Sequence, residues 1–407
     1  MTVAEAFDER MDTHAVITDL PALTRLRQPA LLVGVIGLVA GGVGAMLDLD
    51  QFFRSWLIGF MFCLGLSLGS LALLMLQHMS GGQWGLVGRR VFEAASRNLP
   101  FVAVLFIPIL LGLPRLYEWA RPDAVRADHI LQMKAPYLNV PFFIGRAVLY
   151  FAIWIGIEML LNRWSAAQDR GELAVTPADS RRFRVVSAPG LIVYVLTMTF
   201  ASTDWVMSLD PRWFSTIFGF IFVAGQGLAA FALVIVVLST LTLTEPYTTY
   251  LNKRHFLDLG KLLLAFVMLW AYFSFSQFLI IWAGNLPEEI TFFLERLRGG
   301  WQYVSAAILL GHFVLPFTLL LSRDLKRRPR LLAQIAVVIL LFRYVDLMWL
   351  VEPMFGHDRF PLHWMDIAIP AGLVGLWFFL FARQLRSRPL LPLNDPFFKE
   401  AFAHDVH

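Results

Sequence analysis

Ten separate apolar runs, each long enough to cross a lipid bilayer, dominate this 407-residue sequence. A bilayer has a hydrocarbon core about 30 Å thick, and an α-helix needs roughly 20 apolar residues to span it. The composition agrees, because 58% of the residues are hydrophobic and only 16% are charged. The runs lie at 30–47, 54–77, 98–113, 142–161, 188–207, 215–243, 260–283, 301–321, 331–352 and 364–384. We therefore predict an all-α integral membrane protein with about ten transmembrane helices.

The predicted helices are expected to form two four-helix bundles plus two further helices. GGQW at 81–84 precedes the third run, and GGWQ at 299–302 precedes the eighth. This spacing suggests that helices 2–5 and 7–10 are two related units. The third run, 98–113, is the weakest, because its apolar part is short and the preceding stretch 85–97 is amphipathic.

The runs divide the chain into three parts. Residues 1–29 form an N-terminal segment, 30–384 form the ten-helix membrane domain, and 385–407 form a C-terminal tail. The loops on the side of both termini carry most of the 34 Lys and Arg residues. By the positive-inside rule these loops are cytoplasmic, which also argues against a nucleic-acid partner for the basic residues. The start MTVAEAFDERMDTH lacks the pattern of a signal peptide. We therefore expect both terminal segments to be cytoplasmic.

The sequence predicts no cofactor in this chain. Cys63 is the only cysteine, which excludes an internal disulfide and any all-cysteine Fe–S or zinc site. His312 is the only histidine in the middle of a predicted span, whereas a bis-histidine haem needs two at matching depth. No phosphate-binding Gly-Lys-Ser/Thr loop and no H-E-x-x-H motif occurs. Any electron transfer must therefore use another chain.

Ionisable side chains within the spans are the candidate functional residues, because charge in a bilayer is costly and usually faces the bundle interior. The candidates for a proton pathway are His312, Arg343, Asp346, Glu158, Asp204, Asp366 and His78. By predicted depth, an outer branch contains Asp204, Asp366 and Asp346, and an inner branch contains Glu158 and His78. His312 and Arg343 lie between the branches. Arg343 and Asp346 are three residues apart on one helix face, so we expect them to pair.

Structural roles remain open for these residues. The Arg343–Asp346 pair can lock helices together without moving protons. The carboxylates Asp204, Asp366 and Glu352 lie near a predicted surface, where they can reach interfacial water. Glu158 is three residues from a predicted helix end, where a charged side chain can extend to the interface.

Two stretches resemble a known family. They are STDWVMSLDPRWFSTIFGFIFVAGQ at 202–226 and HFLDLGKLLLAFVMLWAYFSFSQFLIIWAGNLPEEITFFLERLRGGWQY at 255–303. Both resemble the F-type membrane subunit of bacterial alternative complex III, a quinol:cytochrome c (or oxidase) oxidoreductase. Such subunits are similar to the polysulfide-reductase membrane subunit, and the likeness in length and span number extends to nearly the whole chain.

The resemblance implies a location in the bacterial cytoplasmic (inner) membrane and a set of partners. These are a sister polysulfide-reductase-like membrane subunit and periplasmic multihaem cytochrome and Fe–S subunits. Haem c and Fe–S clusters are then expected in the partners, and quinol is the one ligand left open for this chain.

Three hypotheses follow for the function. The first is a cofactor-free subunit of a quinol-oxidising complex, which supports assembly and has proton translocation or quinone binding as further roles. The second is an independent proton-coupled secondary transporter, which predicts interrupted helices around a midplane site. The third is a structural scaffold subunit in which every buried charge serves helix packing.

Overall fold

The computed structural model describes residues 21–173, 177–244, 247–355, 362–392 and 394–398, and no β-strand occurs among them. Ten of the helices are long and apolar enough to cross a membrane, which confirms the predicted fold class. In chain order they are α1 (Pro21–Leu47), α2 (Leu49–Ser80), α3 (Gln83–Leu111), α4 (Val140–Asp169), α5 (Pro177–Trp205), α6 (Phe218–Leu241), α7 (Lys253–Gly284), α8 (Trp301–Leu321), α9 (Pro329–Val351) and α10 (Met365–Leu385). The start of α1 and the end of α10 lie at one face, called the terminal face here; the opposite one is the distal face.

Shorter elements occupy the loops. The short α-helices are Leu113–Leu116, Pro122–Ala127, His129–Lys134, Tyr247–Tyr250, Pro287–Arg296 and Arg323–Lys326. The 3-10 turns are Glu118–Ala120, Met207–Leu209 and Glu352–Phe355.

Helix α3 corrects the predicted start of the third span, since it begins at Gln83 and not at residue 98. Its first segment carries Arg89 and Arg90, and both side chains are buried. Glu93 lies one turn further and accepts hydrogen bonds from both guanidinium groups. Asp395 and Asp169 also pair with Arg89 and Arg90, so this segment can enter the protein interior despite its low hydropathy.

Helices α2 and α6 lie at the centre of the molecule, with 94% and 89% of their apolar windows buried. Helix α2 packs on α3 and α5, and α4 packs on α3 and α5, so that α2–α5 form one four-helix unit. Helix α6 packs on α7 and α9, and α8 contacts both of these, so that α6–α9 form the second unit. The prediction of helices 7–10 as the second unit is wrong by one helix. Helix α6 is apolar on every side and must be enclosed, whereas α10 packs on α1, α2 and α3.

Small residues let α1 pack closely on α10. A Cβ atom built on Gly37 would lie 2.3 Å from Cα of Gly372. One built on Gly375 would lie 2.6 Å from the carbonyl oxygen of Ala30. Backbone contact of this kind is typical of small-xxx-small packing in membranes. These contacts hold α1, which lies outside the two four-helix units and has only 22% of its apolar window buried.

The segment after α10 folds back over the terminal face. Leu390 and Leu391 are fully buried there, and the hydroxyl of Tyr247 donates to the carbonyl oxygen of Leu390 at 2.9 Å. Asp395 accepts a hydrogen bond from Arg89 at 2.6 Å. Part of the predicted tail 385–407 is therefore packed against the membrane domain.

The distal loop after α3 is held by Asp128. Its carboxylate caps the helix His129–Lys134 by accepting from the backbone N–H of Ile130 at 2.8 Å. It also accepts from Arg212 at 2.7 Å. The backbone N–H of Ile130, together with the Arg212 guanidinium, holds the pKa of the Asp128 carboxyl below its usual range.

Candidate functional site

A buried ion pair lies on α9, within the second four-helix unit. Arg343 donates from Nη1 to Oδ2 of Asp346, and both side chains are buried. Trp270 of α7 donates its indole N–H to the same carboxylate oxygen at 3.2 Å. The predicted pairing is confirmed, and it offsets the cost of placing either charge in the hydrocarbon region.

The guanidinium of Arg343 fits against a glycine of α6. A Cβ atom on Gly225 would lie 2.3 Å from Cζ of Arg343, so the site requires the absence of a side chain there. The ring centroid of Phe222 lies 5.7 Å from the same carbon. On α5, the hydroxyl of Tyr194 donates to Oε1 of Gln226 at 2.8 Å, and Tyr194 interacts electrostatically with Arg343. Polar groups therefore extend from the ion pair to the contact between the two four-helix units.

His312 lies on α8 beside the pair but is not bonded to it. Its ring meets the Trp270 ring edge-on, with centroids 4.3 Å apart. The side chain is fully buried, and neither ring nitrogen has a hydrogen-bonding partner within the described ranges. The surrounding segment Leu309–Val314 is π-helical, and Pro316 supplies no N–H to the carbonyl group of His312. Trp270 is thus the contact that connects His312 with Asp346.

A cavity of about 810 Å³ opens beside the ion pair, between α7, α8 and α9. Trp270 and Asp346 lie on its wall, which is otherwise mostly apolar and aromatic. Both hydrogen bonds to the Asp346 carboxylate go to Oδ2. Oδ1 is therefore the atom that remains available to a proton, a water molecule or a ligand.

Asp204, assigned to the predicted outer branch, is held in a separate cluster. Arg146 of α4 binds both of its carboxylate oxygens at 2.8 Å, and Tyr150 donates to Oδ2 at 2.9 Å. The guanidinium also stacks on the Tyr137 ring, with Cζ 3.9 Å from the centroid. Asp204 is fully buried, so the expectation that it reaches interfacial water is wrong. A fork-to-fork ion pair of this kind is suited to joining α4 to α5.

Asp366 begins α10 in another buried cluster at the distal face. Its Oδ1 accepts from Ser55 at 2.6 Å and from Gln51 at 2.8 Å, both on α2. Tyr344 of α9 donates to its backbone carbonyl oxygen. Glu352 is buried beside Asp366 and interacts with it electrostatically. The expectation that Asp366 and Glu352 reach interfacial water is wrong as well.

The two residues of the predicted inner branch lie in different places at the terminal side. Glu158 of α4 is buried and interacts electrostatically with Arg97 and Arg388, so it does not extend to the interface. His78, near the end of α2, contacts the ring of Phe183 with centroids 4.6 Å apart. The structure therefore places the predicted site residues in several clusters, and only Arg343, Asp346 and His312 share one, through Trp270.

Sequence reasoning missed a buried charge network at the terminal face. Its members are three arginines and three carboxylates: Arg89, Arg90, Arg388, Glu93, Asp169 and Asp395. The Arg-Arg-x-x-Glu spacing in the amphipathic stretch 85–97 was the signal for it, because residues three and four apart pair on a helix.

Trp270 and Gln226 were missed as well. Gln226 is an amide in the otherwise strongly apolar α6, which is a signal for an interior polar contact. Trp270 gives no such signal, because one indole among 13 Trp residues does not stand out. No group of three or more His, Cys, Asp or Glu side chains that could hold a metal ion occurs in the part of the chain that the structure describes.

The fold and the buried charges define a multi-pass membrane protein with a polar centre in its second four-helix unit. Neither a protein-family model nor a curated protein sequence matches this chain.

Proposed function

We propose that this chain is a cofactor-free subunit of a bacterial quinol:cytochrome c (or oxidase) oxidoreductase complex, and that its second four-helix unit conducts protons. The observation that carries the proton-conducting role is the contact of Arg343, Asp346 and Trp270 within the membrane, beside an open cavity. Ionisable groups at such depth are costly to keep, and they commonly mark ion or proton pathways.

Asp346 is the residue that exchanges protons in this proposal. A relay requires a group that both accepts and donates, within reach of water or of another such group. Oδ1 of Asp346 accepts no hydrogen bond from the described part of the chain, while Oδ2 is fixed by Arg343 and Trp270. Arg343 favours the ionised carboxylate, and transfer of a proton to Oδ1 would weaken that attraction. His312, which contacts Trp270, and the hydroxyl of Tyr194, which interacts electrostatically with Arg343, are further groups that can pass a proton on.

The entry and exit of protons involve the remaining candidates. Glu158 and His78 lie towards the terminal face, which the distribution of basic residues assigns to the cytoplasm. Asp366 and Glu352 lie at the distal face, which is then periplasmic. Asp204 lies outside this path in our proposal, since its separate contacts with Arg146 and Tyr150 suit a structural role.

The role as a subunit of a respiratory complex rests on the resemblance of residues 202–226 and 255–303 to the alternative complex III subunit. It also fits a chain that buries several ionisable side chains within its membrane-spanning helices. The partners in this proposal are a sister membrane subunit and periplasmic subunits that carry haem c and Fe–S clusters.

Affinity purification of the tagged full chain from native membranes tests this assignment. We expect c-type haem absorbance and quinol:cytochrome c reductase activity to co-purify with the tag at constant ratio. A secondary transporter would instead purify alone, remain stable, and take up a solute in response to a pH gradient. That result would replace the proposed function.

A further inference from the structure

Arg296 is a buried cation without a carboxylate partner on the described part of the chain. It ends the short helix Pro287–Arg296 between α7 and α8, and it is 1% exposed. Its guanidinium donates to three backbone carbonyl oxygens, those of Phe292, Trp349 and Leu350, at 2.7, 3.0 and 2.9 Å respectively. A guanidinium carries five N–H donors, so two remain without a partner.

The charge of Arg296 is only partly compensated. Glu295 and Asp210 interact with it electrostatically, but neither carboxylate is within salt-bridge distance. Burial lowers the pKa of Arg296 to about 9, which still leaves the group protonated at neutral pH. The Phe292 ring covers the guanidinium, with Cζ 3.5 Å from its centroid. A buried charge of this kind is stabilised strongly by an anion that supplies the missing acceptors.

Arg296 lies on the wall of the 810 Å³ cavity. Along α8 the cavity is lined from Gln302, near the distal face, to Phe313 in the middle of the helix. That stretch rises roughly 16 Å, about half the thickness of the hydrocarbon core. Phe275 and Phe278 of α7 form part of the apolar wall. The cavity thus has a cation at its distal end, at the level of the lipid headgroups. From there an apolar channel extends towards the middle of the membrane, to about the depth of one leaflet.

A second polar group points to a ligand at this site. Gln277 of α7 is buried, and it lines the cavity. Its carbonyl oxygen accepts from Ser215 at 3.2 Å, while its amide nitrogen has no hydrogen bond within the described ranges. An amide donor and two guanidinium N–H groups are therefore available near the distal end of the cavity.

We propose that this cavity binds an anionic phospholipid of the distal leaflet, with its phosphate on Arg296 and one acyl chain between α7 and α8. The positive charge selects a headgroup with net negative charge over a zwitterionic one. The exposed rings of Trp282 and Tyr303, at the distal ends of the same two helices, are typical of the membrane interface. The lipid site shares its cavity with Trp270 and Asp346, but the proposal rests on Arg296 and Gln277 and not on the proposed role in quinol oxidation.

Lipid retention by the purified full chain tests the proposal, with native mass spectrometry and thermal melting as readouts. The probes are dioleoyl-phosphatidylglycerol and dioleoyl-phosphatidylcholine, which share their acyl chains. We expect one retained phosphatidylglycerol per chain, a higher melting temperature with it, and a preference of roughly tenfold or more over phosphatidylcholine, as for a charge-assisted hydrogen bond. Arg296→Gln should abolish the preference between the two lipids.

Matched variants keep the test valid if loss of Arg296 impairs folding. Ala306 lines the cavity, and Ala307 beside it on α8 does not. Ala306→Phe should fill the cavity and remove phosphatidylglycerol retention, while Ala307→Phe should behave like the wild type. Equal binding of the two lipids by the wild type would overturn the proposal. So would unchanged retention in Ala306→Phe, or crosslinking of a photoreactive group at Ala306 to a partner protein and not to lipid.

Discussion

The indole N–H of Trp270 donates to Oδ2 of Asp346 at 3.2 Å, and this bond joins α7 to α9 across the polar centre. The same carboxylate oxygen accepts a hydrogen bond from Arg343, so one oxygen carries both contacts, and Asp346 lies on the cavity wall. Both helices belong to the second four-helix unit. The position of Asp346 is thus fixed by two donors, which is the condition for a defined proton-exchanging oxygen.

The fit of Arg343 against α6 predicts a strong effect of one methyl group. Gly225→Ala would place Cβ 2.3 Å from Cζ of Arg343, so the guanidinium must leave its present position beside Asp346. Overpacking of this kind costs about 1–3 kcal/mol, and we expect a lower melting temperature in detergent. Gly156→Ala on α4 is the control, because no atom lies within 4 Å of its Cβ position. Equal melting temperatures for the two variants would contradict the packing described here.

The Asp204–Arg146 pair is expected to be structural. Asp204→Asn leaves a buried guanidinium without its counterion and should lower the free energy of unfolding by about 3–5 kcal/mol. Denaturant titration in detergent measures this, and the double variant Asp204→Asn with Arg146→Gln should recover part of the loss. The control is Asp50→Asn, which breaks a half-exposed pair with Arg115 and should cost about 0–1 kcal/mol. A loss no larger for Asp204→Asn than for the control would argue against this role.

The glycine contact between α1 and α10 predicts a position-specific effect of leucine. Gly37→Leu should separate the two helices, because its Cβ would lie 2.3 Å from Cα of Gly372. We expect faster proteolysis between α1 and α2 in detergent. Gly42→Leu on the same helix is the matched control, since Gly42 has no neighbour within 4 Å. If Gly42→Leu were cleaved as fast as Gly37→Leu, the contact would not be what holds α1.

Asp128 predicts a pH dependence of the distal loop. The pKa of its carboxyl is lowered on folding, so its contribution to stability is fully present above its ordinary value of 3.8 and is lost as the pH falls through the lowered pKa. The backbone amides of the His129–Lys134 segment should therefore be protected from hydrogen exchange at neutral pH. Their exchange should accelerate, relative to intrinsic rates, only in strong acid. Asp128→Ala should remove the protection at neutral pH, while Asp123→Ala, at an exposed carboxylate of the preceding short helix, should not. Loss of protection already at pH 5 in the wild type would contradict the assigned pKa direction.

The number and approximate positions of the membrane helices followed from the sequence, because the length of an apolar run is a direct physical requirement for spanning a bilayer. The start of α3 did not follow. Arg89, Arg90 and Glu93 lower the hydropathy of that segment. Only the folded structure shows that Asp169 and Asp395 join Glu93 in pairing with the two arginines.

The candidate site was predicted in part. The spacing of Arg343 and Asp346 on one helix face was sufficient to predict their pairing. The role of Trp270 could not be derived, because it depends on how α7, α8 and α9 pack and not on local spacing. Depth alone also grouped Asp204 and Asp366 with Asp346, although they belong to different helix contacts. Sequence gives the depth of a residue in a span, but not the direction in which its helix face points.

Proton movement through Asp346 is tested most directly by the ratio of protons moved per electron in vesicles reconstituted with the purified complex. The variants are Asp346→Asn, the double variant Asp346→Asn with Arg343→Gln, and Asp258→Asn as a control at a partly exposed carboxylate on α7. We predict that Asp346→Asn impairs assembly, that the double variant restores assembly and quinol oxidation with a lower proton-to-electron ratio, and that Asp258→Asn matches the wild type. A double variant with normal assembly, activity and proton-to-electron ratio would show that the pair is only structural, and would contradict the proposed proton pathway.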